Sequence, residues 1–142
     1  MTKVGILGGG QLGRMLLECA DQFQVETHIL ENDEDCPSRQ FCNHFTKGDI
    51  RDYESVYSFG KKLDCVTIEI EQVNVDALEQ LEKEGVRIIP KPSVLRIIRN
   101  KITQKEFYKH HHIPSPDFRI TKNKGDLDNL IDFLPAVHKI GI

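Results

Sequence analysis

Short apolar segments alternate with amphipathic ones along most of the chain. Five of the apolar segments, rich in β-branched residues, predict strands at residues 4–7, 25–30, 44–46, 64–70 and 86–89. Between and after them, stretches with apolar residues three and four positions apart predict helices at residues 11–22, 38–43, 49–60, 74–84, 94–98 and 101–111. This alternation of strands and helices predicts an α/β fold with a mostly parallel sheet.

The ends and the packing faces of some helices can also be predicted. Gly85 follows the 74–84 segment and is expected to stop that helix. Ser93 is expected to cap the N-terminus of the 94–98 helix. One face of the first helix is apolar, and we predict that it packs on the sheet. That face consists of Leu12, Leu16 and Ala20, with Met15 and Cys19 beside them.

The pattern changes after residue 112. The sequence Ile113-Pro114-Ser115-Pro116 indicates a boundary, because each proline restrains the residue before it. Beyond it we predict a strand at 118–121, a helix at 126–133 and a strand at 136–140. About 30 residues cannot bury a core of their own. We therefore expect one domain at 1–112, only the beginning of a second at 113–142, and a chain that is the N-terminal part of a longer protein.

A glycine-rich sequence, Gly8-Gly9-Gly10-Gln11-Leu12-Gly13, joins the first predicted strand to the first predicted helix. Gly8, Gly10 and Gly13 satisfy the pattern G-x-G-x-x-G in the strand-then-helix context that it requires. Glycines let a ligand approach the main chain, and the free N–H groups of a helix N-terminus attract an anion such as a phosphate. The loop predicts a nucleotide or a phosphorylated metabolite as ligand; a purely structural turn is the alternative.

Three glutamates lie at the ends of predicted strands. Ligands of open parallel sheets bind outside the carboxyl ends of the strands, where Glu69 and Glu71 lie with the glycine loop. We predict that at least one of these two accepts hydrogen bonds from an amine or hydroxyl group, and Glu69 is preferred because it lies deeper in the strand. Glu31 lies near the spacing of the ribose-binding acid in dinucleotide-binding units, but a solvated charge at a strand end is the preferred interpretation.

Composition excludes several classes of function. The 142 residues carry a net charge of −3, with no basic stripe for nucleic acid, and no apolar run approaches the roughly 20 residues that span a bilayer. The N-terminus leads directly into a strand without a signal peptide, and the cysteines form no Cys-x-x-Cys pair. We expect a cytoplasmic location, free thiols, and no nucleic-acid or membrane partner. Three consecutive histidines, residues 110–112, cannot converge on one metal ion from a helix, so no metal site is predicted.

Longer segments carry a more specific signal than the glycine pattern. VGILGGGQLGRML, TIEIEQVNVDALEQLEKEGVRIIPKPSVLRIIRNK, TQKEFY and IPSPDF, in this order, resemble the N-terminal part of the 5-(carboxyamino)imidazole ribonucleotide synthase family of the ATP-grasp superfamily. These proteins are also called the ATPase subunit of phosphoribosylaminoimidazole carboxylase. The resemblance implies a Rossmann-like open parallel sheet, the pre-ATP-grasp domain, followed by the start of an ATP-grasp central domain.

The same resemblance implies a reaction. The parent protein would be an ATP-dependent ligase of de novo purine biosynthesis that carboxylates aminoimidazole ribonucleotide with bicarbonate. Mg²⁺ would neutralise the ATP phosphates, so that catalysis depends mainly on positioning and electrostatics. The full-length protein is expected to be a homodimer, with a mutase acting on its product as a possible functional partner.

Individual positions take roles from the resemblance. It implies that Gly10, Gln11 and Leu12 bind the ribonucleotide and that Glu69 lies on the substrate side of that site. The ATP phosphates would be bound by two lysines as point charges. These lysines are Lys101 and, on the central-domain strand, Lys139. The family's magnesium ligands and other catalytic residues lie further along, so no catalytic or metal-binding residue is expected in these 142 residues, which alone are expected to be inactive.

Two other functions are compatible with parts of the sequence. An NAD(P)-binding domain of a dehydrogenase would use the three motif glycines and Glu31, but it gives no role to Gln11 or to the TIEIE strand. A non-catalytic module that binds a partner or a regulatory nucleotide would keep the glycine loop without the chemistry.

Overall fold

The computed structural model describes residues 1–121, 123, 125 and 126. Its strands are β1 (Thr2–Leu7), β2 (Val25–Glu31), β3 (His44–Lys47), β4 (Cys65–Ile68) and β5 (Arg87–Ile89). Its helices are α1 (Gln11–Ala20), α2 (Tyr53–Gly60), α3 (Val75–Lys83), α4 (Pro92–Arg99) and α5 (Lys101–His110). The predicted α/β class is confirmed, because the strands form one parallel sheet.

The strand order is β3-β2-β1-β4-β5, so the sheet grows in two directions from β1. On one side β1 pairs with β2, ending with Leu7 opposite Leu30. On the other side β1 pairs with β4, ending with Leu7 opposite Ile68. In open parallel sheets, ligands bind in the crevice where the order reverses, outside the carboxyl ends of the strands. The loops that follow β1 and β4 therefore flank the expected position of a ligand.

Both faces of β1 are closely packed. On one face Ile6 clusters with Leu17 of α1 and Ile29 of β2. On the other face, a Cβ added to Gly5 would lie 2.4 Å from Leu63 Cδ1 and 2.8 Å from Phe59 Cε1. Successive residues of a strand point to opposite faces. The small Gly5 therefore allows the α2 region to approach the face of β1 that is opposite to Ile6. This packing fixes the strand from which the glycine loop begins.

The chain divides into two compact units, Met1–Arg96 and Ile97–Ile142. The glycine loop and the strand-end glutamates belong to the first unit. In the second, Asn100 caps α5, because its side-chain oxygen accepts hydrogen bonds from the N–H groups of Ile102 and Thr103. Sequence reasoning placed α5 correctly but did not identify this cap. Pro92 begins α4, as prolines often do, so Ser93 lies within the helix and the prediction that it caps α4 was wrong.

The packing face of α1 also differs from the prediction. Leu12, Met15 and Leu16 are exposed by 64%, 59% and 43%, whereas Gly13 and Leu17 are buried. A Cβ on Gly13 would lie only 2.9 Å from Ser38 Oγ and 3.1 Å from the Gly8 carbonyl oxygen. The helix therefore packs through Gly13 and Leu17, and Leu12 and Leu16 face outward.

Other differences concern short elements. Residues 38–41 form turns and residues 42 and 43 are irregular, so the helix predicted at 38–43 is wrong. Residues 118–121 do not form the predicted strand. The helix predicted at 126–133 and the strand predicted at 136–140 fall outside the described residues, except for Asp126. Gly85 does end α3, with a φ of +95°, and α2 begins at Tyr53 rather than at residue 49.

Candidate functional site

The glycine loop presents a row of free backbone donors. Gly10 is the N-cap of α1 and has no side chain to cap the helix. The first main-chain bond of the helix runs from Arg14 N–H to the Gly10 carbonyl oxygen at 3.0 Å. In the described part of the chain, no group accepts a hydrogen bond from the N–H groups of residues 10–13. Four free donors at the positive end of a helix dipole form a site for an anionic group.

Ser38 supports the glycine loop from the buried side through two hydrogen bonds. Its N–H donates to the Gly9 carbonyl oxygen at 3.0 Å, and its hydroxyl donates to the Gly10 carbonyl oxygen at 3.1 Å. Ser38 is fully buried. Because the carbonyl groups of Gly9 and Gly10 point toward Ser38, the N–H groups of the same two trans peptides, those of Gly10 and Gln11, point away from it. Sequence reasoning missed this residue, which lies 28 positions from Gly10.

Glu31, the last residue of β2, binds the backbone of the glycine loop. Its carboxylate accepts hydrogen bonds from the N–H groups of Gly9 at 2.9 Å, Asn32 at 2.6 Å and Asp33 at 3.2 Å. One oxygen serves Gly9 and the other serves Asn32 and Asp33. The interpretation of Glu31 as a solvated strand-end charge was therefore wrong. A role as ribose acceptor is also disfavoured, because both oxygens already hold the backbone.

Glu69 lies against the outer side of the loop. Its N–H donates to the Leu7 carbonyl oxygen at 2.8 Å, which extends the pairing of β4 with β1. A Cβ added to Gly10 would lie 2.5 Å from Glu69 Oε1, and one added to Gly8 would lie 2.7 Å from Glu69 Oε2. Only glycines allow this carboxylate to lie so close to the main chain. Among residues 1–121, 123, 125 and 126, no group donates a hydrogen bond to it.

Glu71 was the second candidate at this edge. The atoms nearest to the positions of added Cβ atoms on Gly8 and Gly10 belong to Glu69 and Ile70, not to Glu71. The structure therefore places Glu69 rather than Glu71 at the loop. β4 ends at Ile68, however, so Glu69 follows the strand and does not lie within it as predicted. Glu71 provides a matched carboxylate two positions away.

Cys36 belongs to the packing of the loop. A Cβ on Gly9 would lie 2.6 Å from its sulfur, and Cys36 is only 7% exposed. Burial raises the pKa of the Cys36 thiol, so the thiol stays neutral and acts as a small apolar group. The four cysteines all carry free thiols.

The two lysines expected to bind ATP lie outside the first compact unit. Lys101 is the first residue of α5, is partly exposed, and its ammonium group donates to the Ile98 carbonyl oxygen at 3.1 Å. Lys139 lies outside the described residues. The histidines of residues 110–112 are exposed at the end of α5, as a solvated helix end should be.

The site thus combines two kinds of chemistry. The free N–H groups of residues 10–13 suit a phosphate. No group in the described residues donates a hydrogen bond to the Glu69 carboxylate, which suits an amine or hydroxyl group of the same ligand. A phosphorylated metabolite that also carries amino or hydroxyl hydrogens satisfies both at once.

Replacing Ser38 with alanine is expected to lower the free energy of unfolding by about 0.5–1.5 kcal/mol, because the Gly10 carbonyl oxygen loses the hydroxyl donor and keeps only the N–H of Arg14. Hydrogen exchange should also become faster at the amides of Gly9 and Arg14, which are hydrogen-bonded to Glu31 and to the Gly10 carbonyl oxygen. Urea denaturation and exchange measured by NMR test this. Ser58 is exposed on α2, so Ser58→Ala is the control, with an expected change within about 0.5 kcal/mol. Equal effects of the two substitutions would show that Ser38 does not hold the loop.

The matches to a family model, to related sequences and to a solved structure agree on one family. Residues 1–99 match the family model described as the ribonucleotide synthetase pre-ATP-grasp domain. The chain is 43% identical over 115 residues to the chloroplastic phosphoribosylaminoimidazole carboxylase of Vigna aconitifolia, covering 81% of this chain and 21% of that protein. It is 34% identical over 141 residues to the N5-carboxyaminoimidazole ribonucleotide synthase of Brucella melitensis, covering 99% of this chain and 38% of that protein.

A solved structure agrees. The N5-carboxyaminoimidazole synthase of Aspergillus clavatus, in complex with ADP and 5-aminoimidazole ribonucleotide, superposes with a TM-score of 0.81 and 36% identity. The match covers 94% of this chain and 36% of that one. The chain therefore spans between about a fifth and two fifths of the length of these relatives. None of the helices in its described part is both long and apolar enough to cross a membrane.

The glycine loop lies within the matched residues 1–99, and so do the five-stranded parallel sheet and Glu69. The resemblance drawn from the sequence segments is confirmed: the chain belongs to the ribonucleotide synthetase pre-ATP-grasp domain family.

Proposed function

We propose that the chain is the ribonucleotide-binding part of an ATP-dependent ligase of purine biosynthesis, which carboxylates aminoimidazole ribonucleotide with bicarbonate. The observation that carries the proposal is the arrangement around the crevice between β1 and β4. The N–H groups of residues 10–13 lie on one side and the Glu69 carboxylate lies on the other, and neither has a hydrogen-bond partner among the residues that the structure describes. A relative of known structure, with 36% identity, binds 5-aminoimidazole ribonucleotide and ADP.

The ligand's phosphate is assigned to the N–H groups of the glycine loop. Gly10, Gln11 and Leu12 would contact the ribonucleotide there, and the exposure of Leu12 and Gln11 supports this role. Glu69 would accept hydrogen bonds from the ribose hydroxyls or the amine. A carboxylate that holds only the hydrogens of the amine leaves the nitrogen lone pair free to attack the carboxyl carbon, so Glu69 would orient the nucleophile without consuming it.

The nucleotide side of the reaction is assigned to other parts of the enzyme. We propose that Lys101 and Lys139 bind the ATP phosphates. Magnesium prefers several oxygen ligands, and the carboxylates near the loop do not fit it: Glu31 is held by three backbone N–H groups, and Glu69 faces the glycine loop. No reaction step is assigned to a metal ion at these residues, and the sites for Mg²⁺ and bicarbonate are assigned to the longer enzyme.

The wider organisation follows from the same proposal. Residues 1–112 would form the substrate-binding domain and residues 113–142 the beginning of the ATP-grasp central domain. The longer enzyme would be a cytoplasmic homodimer, and a mutase would consume its N-carboxylated product.

Product analysis of the longer enzyme tests the function. Release of ADP should require both aminoimidazole ribonucleotide and bicarbonate, and the 142-residue chain alone should release none. Release of ADP at the same rate without the ribonucleotide would contradict the proposal. Turnover by the isolated chain would show that the catalytic groups lie within it.

A dinucleotide-binding domain is not favoured as the alternative. Its ribose-binding acid would be Glu31, whose carboxylate already accepts hydrogen bonds from three N–H groups of the chain itself, out of about four acceptor positions. Binding of NADH by the longer enzyme, with displacement of the ribonucleotide, would restore that alternative. A non-catalytic regulatory module would bind the ribonucleotide but release no ADP.

A further inference from the structure

Three side chains of types that commonly bind metal ions lie close together on the sheet, away from the glycine loop. Glu26 and His28 lie two positions apart on β2 and therefore point to the same face. His44 begins the edge strand β3 and is the register partner of His28. Parallel pairing thus brings the two imidazoles side by side, toward the amino ends of the two strands.

The geometry of the three groups is close. Glu26 Oε1 lies 3.0 Å from His28 Nε2 and 3.1 Å from His44 Nε2. The two imidazole rings are stacked, with centroids 4.5 Å apart and an interplanar angle of 23°. One ligand atom from each residue lies within 4.8 Å of the other two. Zinc bonds of about 2.1 Å place tetrahedral ligands about 3.4 Å apart, so small side-chain movements would complete such a site.

Burial and charge favour a cation at this position. The side chains of His28 and Glu26 are 17% and 27% exposed, and that of His44 is 56% exposed. An ion could therefore enter from the His44 side and still be partly shielded from water. Glu26 supplies one negative charge. Lys3 is the nearby cation that opposes binding.

We propose that Glu26, His28 and His44 form a three-ligand site for a divalent transition-metal ion of the zinc type. Two imidazoles and one carboxylate are a common donor set for zinc, with the fourth position open to water. A bound ion would join the edge strand β3 to β2 and would stabilise this edge of the sheet. The proposal is independent of the ribonucleotide site. Its alternative is a metal-free cluster in which Glu26 Oε1 accepts hydrogen bonds from both imidazoles.

The experiment needs a background without the run of exposed histidines at the end of α5. His110, His111 and His112 are exposed and consecutive, so a triple alanine variant at these positions serves as the reference protein. Reduced reference protein is titrated with Zn²⁺ and with Co²⁺, by calorimetry and by visible absorption. We expect one saturable site, a Zn²⁺-dependent rise in the thermal midpoint, and a cobalt spectrum without thiolate charge-transfer bands, because no cysteine belongs to the cluster.

Substitution then locates the site. His44→Ala in this background should weaken Zn²⁺ binding by more than the roughly 10–100-fold that follows loss of a partner supporting a metal ligand. His44 is at an exposed edge, so the fold should persist, which circular dichroism checks. Glu26→Gln should also weaken binding, whereas Glu71→Gln should not. Absence of a saturable site in the reference protein, unchanged affinity in His44→Ala, or thiolate bands in the cobalt spectrum would each overturn the proposal.

Discussion

Alanine at Gly8 is expected to abolish ribonucleotide binding and to lower the free energy of unfolding by about 1–3 kcal/mol. Gly8 has a φ of +103°, which L side chains rarely adopt. The new Cβ would also lie 2.7 Å from Glu69 Oε2 and 3.1 Å from Glu69 Cβ. Glu69 would have to move away from the glycine loop, and the anion and amine sites would no longer face one ligand. Calorimetric titration with aminoimidazole ribonucleotide and urea denaturation measure the two effects.

Gly85 offers a matched control for backbone strain. It has a φ of +95°, and a Cβ added there would meet nothing within 4 Å. Gly85→Ala should therefore lose stability through strain alone, by a similar amount, and keep its affinity for the ribonucleotide. If Gly8→Ala and Gly85→Ala lower affinity equally, the loss comes from general destabilisation, and Glu69 has no special position at the loop.

Glutamine at Glu69 is expected to lower kcat/KM of the longer enzyme for aminoimidazole ribonucleotide by about 10- to 100-fold. A hydrogen bond to a charged group contributes about 1.5–3 kcal/mol, and each 1.4 kcal/mol corresponds to about a factor of ten. The amide keeps the size of the side chain but removes its charge and replaces one acceptor oxygen with a donor. Steady-state kinetics with the ribonucleotide as the varied substrate provide the measurement.

Glu71→Gln is the matched control for this substitution. It removes the same charge two positions away without changing the atoms that lie against Gly8 and Gly10. We expect less than about a twofold change, because surface substitutions away from a contact have small effects. Equal losses in the two variants would point to the overall negative charge at this edge rather than to a contact made by Glu69.

The sheet and its ligand edge could be predicted because their signals are local. The runs at residues 4–7 and 25–30 became β1 and β2, and Gly85 ended α3 as expected. Parallel strands place their carboxyl ends at one edge. The positions of the glycine loop and Glu69 at strand ends were therefore sufficient to predict that the two lie close together.

The supports of the loop could not be predicted because they depend on contacts distant in sequence. Glu31 was assigned to solvent, yet its carboxylate reaches Gly9, 22 residues earlier. Ser38 is one of five serines in the sequence, and only the folded chain shows that it binds Gly9 and Gly10. A sequence pattern reports the type of a side chain but not the backbone group that it meets.

The rotation of α1 was missed for a related reason. Leu12 and Leu16 lie on one side of the helix and Leu17 lies on another, so the apolar pattern alone allowed more than one buried face. The contact of Gly13 with Ser38 and the Gly8 carbonyl decided the orientation. Here a small residue, which contributes little to any hydrophobic pattern, determined the packing.

The central claim is that the glycine loop and Glu69 bind one ribonucleotide, and an NMR titration tests it most directly. Aminoimidazole ribonucleotide is added to the labelled 142-residue chain, and NADH is added to a second sample. The account predicts saturable shifts with the ribonucleotide at the amides of residues 10–13 and at Glu69, which weaken in Glu69→Gln, and no such shifts with NADH. Ribonucleotide shifts that avoid these amides, or saturation of the same amides by NADH, would contradict it.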